Sequence, residues 1–284
     1  MKKWMYNILI FVFVAVFVAS GAFVGCYYLD ALVQEKRYSD LAQLRPITNT
    51  RPAPTQEPPE NTEGTEGENA QAEPSEPAAK TVEVTDPKTG EKRQILVEFA
   101  ELYKMNSDLV GWMSIPGVGV DYPVVQTPDD PEYYLRRTFD KEKNTRGCLF
   151  VDAECDVLTP SDNVTIYGHR MKDGTMFGQL KKYKKKSFRD ENPYIYFDSL
   201  TELHTYEVMA VFLTTASVGQ GFRYHAFIDA EDAKEFDDFV SRCKKLSYYD
   251  TGVTAKYGDK LICLSTCDYS ITNGRLVVVA KQVA

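Results

Sequence analysis

The sequence predicts a mostly β domain, an eight-stranded barrel that is closed or nearly closed, with peripheral helices and an N-terminal transmembrane helix. Three observations predict it. Eight short segments after about residue 95 are rich in β-branched and aromatic residues and are bounded by Gly, Pro, Asn or Asp. A later stretch switches to helical spacing, and the chain begins with a long apolar run that carries no charge.

That run comes first in the chain. Residues 8–29 form 22 positions without a charged side chain, preceded by Lys2 and Lys3. At 1.5 Å per residue this makes roughly 33 Å of helix, which matches the roughly 30 Å hydrocarbon core of a bilayer. Two lysines before the run and mixed charge after it (Asp30, Glu35, Lys36, Arg37) place the N-terminus in the cytoplasm and the rest of the chain outside. A cleaved signal peptide is the competing reading, because Val18-Ala19-Ser20 resembles a small-residue cleavage site. Apolar residues continue well past it, which favours an uncleaved anchor, so residues 1–30 are assigned to a cytoplasmic tip and membrane anchor.

Residues 31–94 follow as an extracellular stalk. Between 46 and 80 there are seven prolines, seven glutamates and hardly any large apolar side chain. Such a composition buries too little surface to offset its conformational entropy, so disorder is expected there. Proline and like charge extend a chain, and the stretch is expected to hold the domain at 95–284 away from the bilayer.

Within 95–284, Phe99, Leu102 and Tyr103 suggest a first helix that ends before Gly111. Strands are expected at 111–115, 122–126, 148–152, 164–167, 194–197, 205–213, 261–265 and 276–280. Eight antiparallel-type segments of this length satisfy their edges by closing on themselves. Between 229 and 246, Phe236, Phe239, Val240, Cys243 and Leu246 recur at helical spacing, with Asp229 as the expected N-cap.

Composition removes some function classes. A formal net charge of -8 argues against a nucleic-acid partner, which calls for a basic face. Six cysteines in 284 residues with no C-x-x-C pair fit free thiols better than a disulfide scaffold or a zinc knuckle. Cys148 and Cys155 are near enough in sequence to be bridged, but only coordinates supply the alpha-carbon geometry a bridge requires.

The chemistry gathers near the C-terminus. Leu261-Ile262-Cys263-Leu264-Ser265-Thr266-Cys267 reads as a buried strand emerging into a loop. Asn273-Gly274 reads as a turn into a second buried strand that begins Arg275-Leu276-Val277. If those strands are antiparallel neighbours, a thiol and a guanidinium face each other at one rim. A thiolate can attack a carbonyl there while a fixed cation stabilises the oxyanion. An ordinary cysteine is only a few per cent thiolate at neutral pH and needs a base. His169 follows the apolar strand 164–167 and Gly168, where a chain leaves a sheet. His204 and His225 are read as surface residues, and the lysine run 181–186 as a solvated helix face.

Taken together these segments resemble the sortase family. Leu264-Ser265-Thr266-Cys267 with Arg275 eight positions on, in Asn273-Gly274-Arg275-Leu276, is similar to its nucleophile and arginine motifs. Ile166-Tyr167-Gly168-His169 is similar to its histidine motif. Asn106-Ser107-Asp108-Leu109-Val110-Gly111-Trp112, Tyr122-Pro123-Val124-Val125-Gln126 and Gly147-Cys148-Leu149-Phe150-Val151-Asp152 resemble the class B branch, as does a helix before the nucleophile strand. Cys263 stands where the family usually has threonine and is read as a core residue.

The resemblance implies a sortase barrel and a two-step acyl transfer without metal or cofactor. Cys267 is then the nucleophile, His169 the proton donor and acceptor or the imidazolium partner of the thiolate, and Arg275 the group that holds the oxyanion or the peptide backbone. Ser265, Thr266 and Asp268 are candidates for substrate binding. The implied partners are the C-terminal sorting signal of a secreted protein, a peptidoglycan amine, and the bilayer through residues 8–29. A pilin-polymerising enzyme, a cysteine peptidase or amidase that transfers to water, and a non-enzymatic wall-binding domain use the same residues and stay open at this level.

Overall fold

The computed structural model describes residues 3–47, 49, 51 and 79–284. They fall into two compact units, Met1–Gln43 and Leu44–Ala284. The first is one helix, α1 (Lys3–Gln43), 41 residues long. Among the described residues it is the one helix long and apolar enough to cross a membrane. The apolar run ends at Leu29 but the helix does not, because the residues after it (Asp30 to Gln43) contain no Gly or Pro to break it. Most of the Pro/Glu-rich stretch expected at 46–80 lies outside the described residues.

The second unit opens with a hairpin that sequence reasoning missed, β1 (Thr81–Thr85) paired with β2 (Lys92–Leu96). Of its ten strand residues only Val84, Ile95 and Leu96 are buried, so it lacks the apolar run that marks a buried strand. The short helix α2 (Ala100–Met105) follows and buries Leu102 and Tyr103. Eight further strands then form the barrel: β3 (Leu109–Ile115), β4 (Val120–Val125), β5 (Leu149–Val151), β6 (Asn163–Tyr167), β7 (Tyr194–Ser199), β8 (Thr205–Thr215), β9 (Leu261–Asp268) and β10 (Gly274–Gln282). Each of the eight expected segments is one of these strands.

The barrel closes in the order β10-β8-β7-β3-β4-β5-β6-β9. Two of its pairs are parallel, β4 with β5 and β6 with β9. A parallel pair needs a long crossover, and the β6 to β9 connection carries β7, β8, the short helix α3 (Lys186–Glu191) and the helix α4 (Ala233–Leu246). That parallel pair later proves decisive for the site, since it brings together residues 98 positions apart, Asn163 with Leu261 through Tyr167 with Ser265.

Alternation divides β9 and β10 between two cores. Ile262, Leu264, Leu276 and Val278 are fully buried on one face. Leu261, Cys263, Val277 and Val279, on the other face, form an apolar pad with Phe236, Phe239, Val240 and Cys243 of α4. Phe227 stacks on Phe239 with ring centroids 4.0 Å apart and 13° between planes, which seals this pad. Cys263 is therefore a core residue, fully buried.

Two local expectations are corrected. The N-cap of α4 is Asp232, whose side chain accepts from the Glu235 amide; Asp229, three residues before it, instead accepts from the amide of Asp162, 67 residues upstream. Helical spacing locates the apolar face but does not choose between nearby aspartates. His204, expected on the surface, is buried, with its Nδ1 3.1 Å from the Gln282 amide nitrogen. Burial pushes its pKa down. His225 is half-buried.

Candidate active site

β9 and β10 are antiparallel neighbours, and Arg275 lies directly opposite Cys267 in their register. Opposed residues in such a pair share a face and hold their Cβ atoms about 4.5–5.5 Å apart. The same register sets Ser265 against Val277 and Cys263 against Val279. This face is thus apolar where α4 covers it and reactive at the uncovered tip. The turn between the strands depends on backbone freedom: Asn273 has φ 50°, and a Cβ on Gly274 would lie 2.2 Å from the Asp268 carbonyl oxygen.

His169 reaches the same tip through the parallel pair. Tyr167 is opposite Ser265, and the Gly168 amide continues the ladder to the Ser265 carbonyl at 3.1 Å. Thr266 Oγ1 then donates to the Gly168 carbonyl at 2.7 Å, so the chain emerges as His169 beside Cys267. The imidazole Nε2 is 2.7 Å from the Leu135 carbonyl oxygen. A carbonyl only accepts, so Nε2 carries a hydrogen and Nδ1 is the nitrogen left for proton transfer. Leu135 is held in a tight turn, Tyr133–Arg136. Behind it, Gly147 has φ 63°, and a Cβ there would come within 2.7 Å of the Leu135 oxygen.

His169, Cys267 and Arg275 line one cleft of roughly 320 Å³, with Leu135, Phe150 and Tyr167 as apolar wall and Glu132 and Asp152 as carboxylates. Tyr167 and Arg275 also line a second hollow of roughly 730 Å³, framed by residues 215–225. The two hollows share these side chains, so the rim presents an extended groove, with Cys267 lining its smaller part. That shape suits an extended peptide crossing over a nucleophile.

Six free cysteines are present, and exposure separates them. Burial pushes the Cys155 thiol up to about 12 and raises those of Cys243 and Cys263. These three stay protonated and out of reach. Cys267 is half-exposed in the groove and faces a guanidinium. A thiolate there gains a cationic neighbour.

The other candidates hold different positions. Ser265 and Thr266 line the cleft, but both are buried and their hydroxyls are engaged: Ser265 Oγ is 2.5 Å from Tyr224 Oη, and Thr266 bonds the Gly168 carbonyl. Asp268 does not line the cleft. It is buried and bonded to Lys184 Nζ at 2.6 Å, Arg170 Nη1 at 3.2 Å and the Ser270 amide and hydroxyl. Lys184 thereby departs from the solvated face expected for 181–186; its neighbours Lys182 and Lys185 are exposed. Sequence reasoning missed Leu135, Tyr224 and the two cations on Asp268. A backbone carbonyl has no sequence signature, and the cations sit 98 and 84 residues from their carboxylate.

Asp268 carries a testable consequence. Burial alone pushes its carboxyl up, but hydrogen bonds from Lys184 and Ser270 outweigh burial and hold it at about 2, below the ordinary 3.8. A depressed folded-state pKa adds stability above the unfolded value that is lost as pH falls through the folded one. Asp268→Asn is therefore expected to lower the Tm at pH 7 and to flatten the loss of stability between about pH 4 and pH 2. Thermal melts across that range check it. An unaltered acid slope would show that the ion pairs to Arg170 and Lys184 do not hold the loop that carries His169.

Comparison with known proteins agrees with this geometry. The family profile described as Sortase domain matches residues 113–283. Sortase B of Listeria monocytogenes is 34% identical over 211 residues, covering 72% of this chain and 82% of the relative. The solved Staphylococcus aureus sortase B-substrate complex is similar with TM-score 0.61 at 31% identity, over 66% of this chain and 86% of that one. Sortase B from Bacillus anthracis in complex with AAEK1 is similar with TM-score 0.59 at 34% identity, over 72% and 90% of the two chains. The eight-stranded closed barrel thus has its counterpart in these proteins, and the chain belongs to the sortase family, in its class B branch, as a cysteine transpeptidase.

Proposed function

We propose that this enzyme, anchored through residues 8–29 with its barrel outside the cell membrane, cleaves the C-terminal sorting signal of secreted proteins and joins them to a peptidoglycan amine. The observation that carries the site is the register that opposes Cys267 and Arg275 on the open face, with His169 in the same cleft. Support for the peptide as partner comes from the extended groove and from the similar Staphylococcus aureus protein, which was solved with its substrate.

The reaction runs in two balanced steps. The Cys267 sulfur adds to the scissile carbonyl carbon, and the oxyanion that forms accepts hydrogen bonds from Arg275. Its guanidinium has five N–H donors, and Nη1 bonds the Gly274 carbonyl at 3.1 Å, which leaves others directed to the groove. The carbon–nitrogen bond then breaks, and the amine leaves with a proton from the His169 imidazolium, forming a thioester. In the second step an incoming amine adds to the thioester carbonyl and gives its proton back to His169. Sulfur leaves as thiolate, and a new amide remains. The Nε2–H bond to Leu135 persists in both protonation states, so the ring keeps its orientation while Nδ1 cycles.

The test is a product analysis. Full-length enzyme in detergent is expected to cleave a fluorogenic sorting peptide and, on adding a small amine such as triglycine, to divert the acyl fragment from acid to amide. Mass spectrometry distinguishes the two products. Release of acid alone at every amine concentration would establish a hydrolase and remove the transfer step.

A further inference from the structure

The residues directly after the membrane helix belong to the barrel. Asp198, at the C-terminal end of β7, has a carboxylate that is 1% exposed and carries two arginines from far upstream. Arg51 grips it as a two-pronged fork, Nη1 to Oδ1 at 2.6 Å and Nη2 to Oδ2 at 2.9 Å, and Nη1 also donates to the His204 carbonyl at 2.7 Å. Arg45 donates to Asp198 Oδ2 from the other side. Both guanidiniums are stacked: Arg45 over Phe99 and Trp112, at 5.2 and 5.6 Å, and Arg51 over Tyr196 at 4.5 Å. A buried carboxylate is costly unless paired in good geometry, and here the pairing comes wholly from this segment and its surroundings.

Between the arginines, Asn49 makes a reciprocal amide pair with Lys80. Its Oδ1 accepts from the Lys80 amide at 2.7 Å, and its Nδ2 donates to the Lys80 carbonyl at 3.3 Å. The same Nδ2 donates to the buried Glu98 at 2.7 Å. Lys80 leads at once into β1. The two ends of the intervening Pro/Glu-rich sequence, at Asn49 and at Lys80, therefore meet at one place on the catalytic unit.

We infer that Arg45, Asn49 and Arg51 form a clasp that fixes the chain ahead of residue 52 to the same place on the catalytic unit as Lys80. Thirty residues of free chain would give a root-mean-square reach of about 30 Å. With both ends pinned, none of that reach lies between anchor and catalyst. The chain between the apolar run and Arg45 is then residues 30–44 alone, of which 30–43 are helical. The arginine pair on Asp198 is what holds the clasp shut, and it acts on where the catalyst can work and not on its chemistry.

Energy transfer from a fluorescent tag fused after Ala284 to labelled lipid, in vesicles of phosphatidylglycerol and phosphatidylethanolamine, reads the distance, and the Tm reads the clasp. Replacing residues 52–78 by an eight-residue Gly/Ser linker is expected to leave both unchanged. Arg45→Ala/Arg51→Ala is expected to lower the Tm by about 5–10 °C, as for a buried charge that loses its partners, and to reduce energy transfer as the chain pays out. Adding Asp198→Asn to that pair is expected to recover part of the Tm but not the transfer, which separates charge burial from tethering. A rise in energy transfer on shortening 52–78 would show the segment to be a spacer. Wild-type Tm and transfer in the double-arginine variant would show that nothing is clasped.

Discussion

Cys267→Ala is expected to abolish both half-reactions, with turnover of a sorting peptide falling at least about a thousandfold and no acyl-enzyme mass appearing. The physical reason is that no other group can form the thioester. Cys148, Cys155, Cys243 and Cys263 are buried, burial holds the protons of the last three on, and none of them lines the groove, while Cys26 lies in α1. The loss should be one of chemistry and not of folding. Cys267 is half-exposed at the tip of β9, beyond the apolar pad that α4 covers, so deleting its sulfur opens no sealed cavity. Thermal melts of the variant should stay within a few degrees of wild type. Residual cleavage within about tenfold of wild type, in protein of normal Tm, would mean that the nucleophile lies elsewhere.

Arg275→Ala is expected to cost about a hundredfold to a thousandfold in kcat, the scale for losing a donor aimed at a developing oxyanion. KM should change less, because the interaction strengthens only as charge forms on the carbonyl oxygen. Arg275→Lys is the sharper variant. Lysine keeps the charge at the same register position but replaces a planar fork of donors by a point charge. It also has to choose between the Gly274 carbonyl, which Arg275 Nη1 now engages, and the oxyanion. Recovery of no more than about tenfold over alanine is therefore expected. Full activity in the lysine variant would show that charge alone, without fork geometry, suffices. Wild-type kcat in Arg275→Ala would remove the residue from the reaction.

Cys267 and Arg275 sit on opposed positions of β9 and β10, the part of the fold most legible in the sequence. Strands with continuous β-branched and aromatic runs, such as β9 and β10, announce themselves, since each side chain only has to fit a buried pleat. The hairpin of β1 and β2 did not, because only Val84, Ile95 and Leu96 of its ten strand residues are buried, too short an apolar signal to stand out. His204 failed for the opposite reason. Its burial comes from packing at the foot of the barrel beside Gln282, a residue 78 positions away. Local polarity cannot report such an encounter.

By itself the sequence determined the chemistry on offer and one of its contacts. A thiol at the end of one strand and a guanidinium at the start of the next, joined by Asn273-Gly274, must face each other once the strands pair, because a short antiparallel turn leaves few registers. The apolar run at 8–29 likewise marks a candidate membrane span by length alone. What tertiary structure decided is everything that depends on non-local pairing. The parallel alignment of β6 with β9 carries His169 to Cys267, the Leu135 carbonyl chooses which imidazole nitrogen is left for protons, and Asp198 gathers Arg45 and Arg51. Residue type and spacing constrain neighbours along the chain; only the closure of the barrel selects which distant groups share a face.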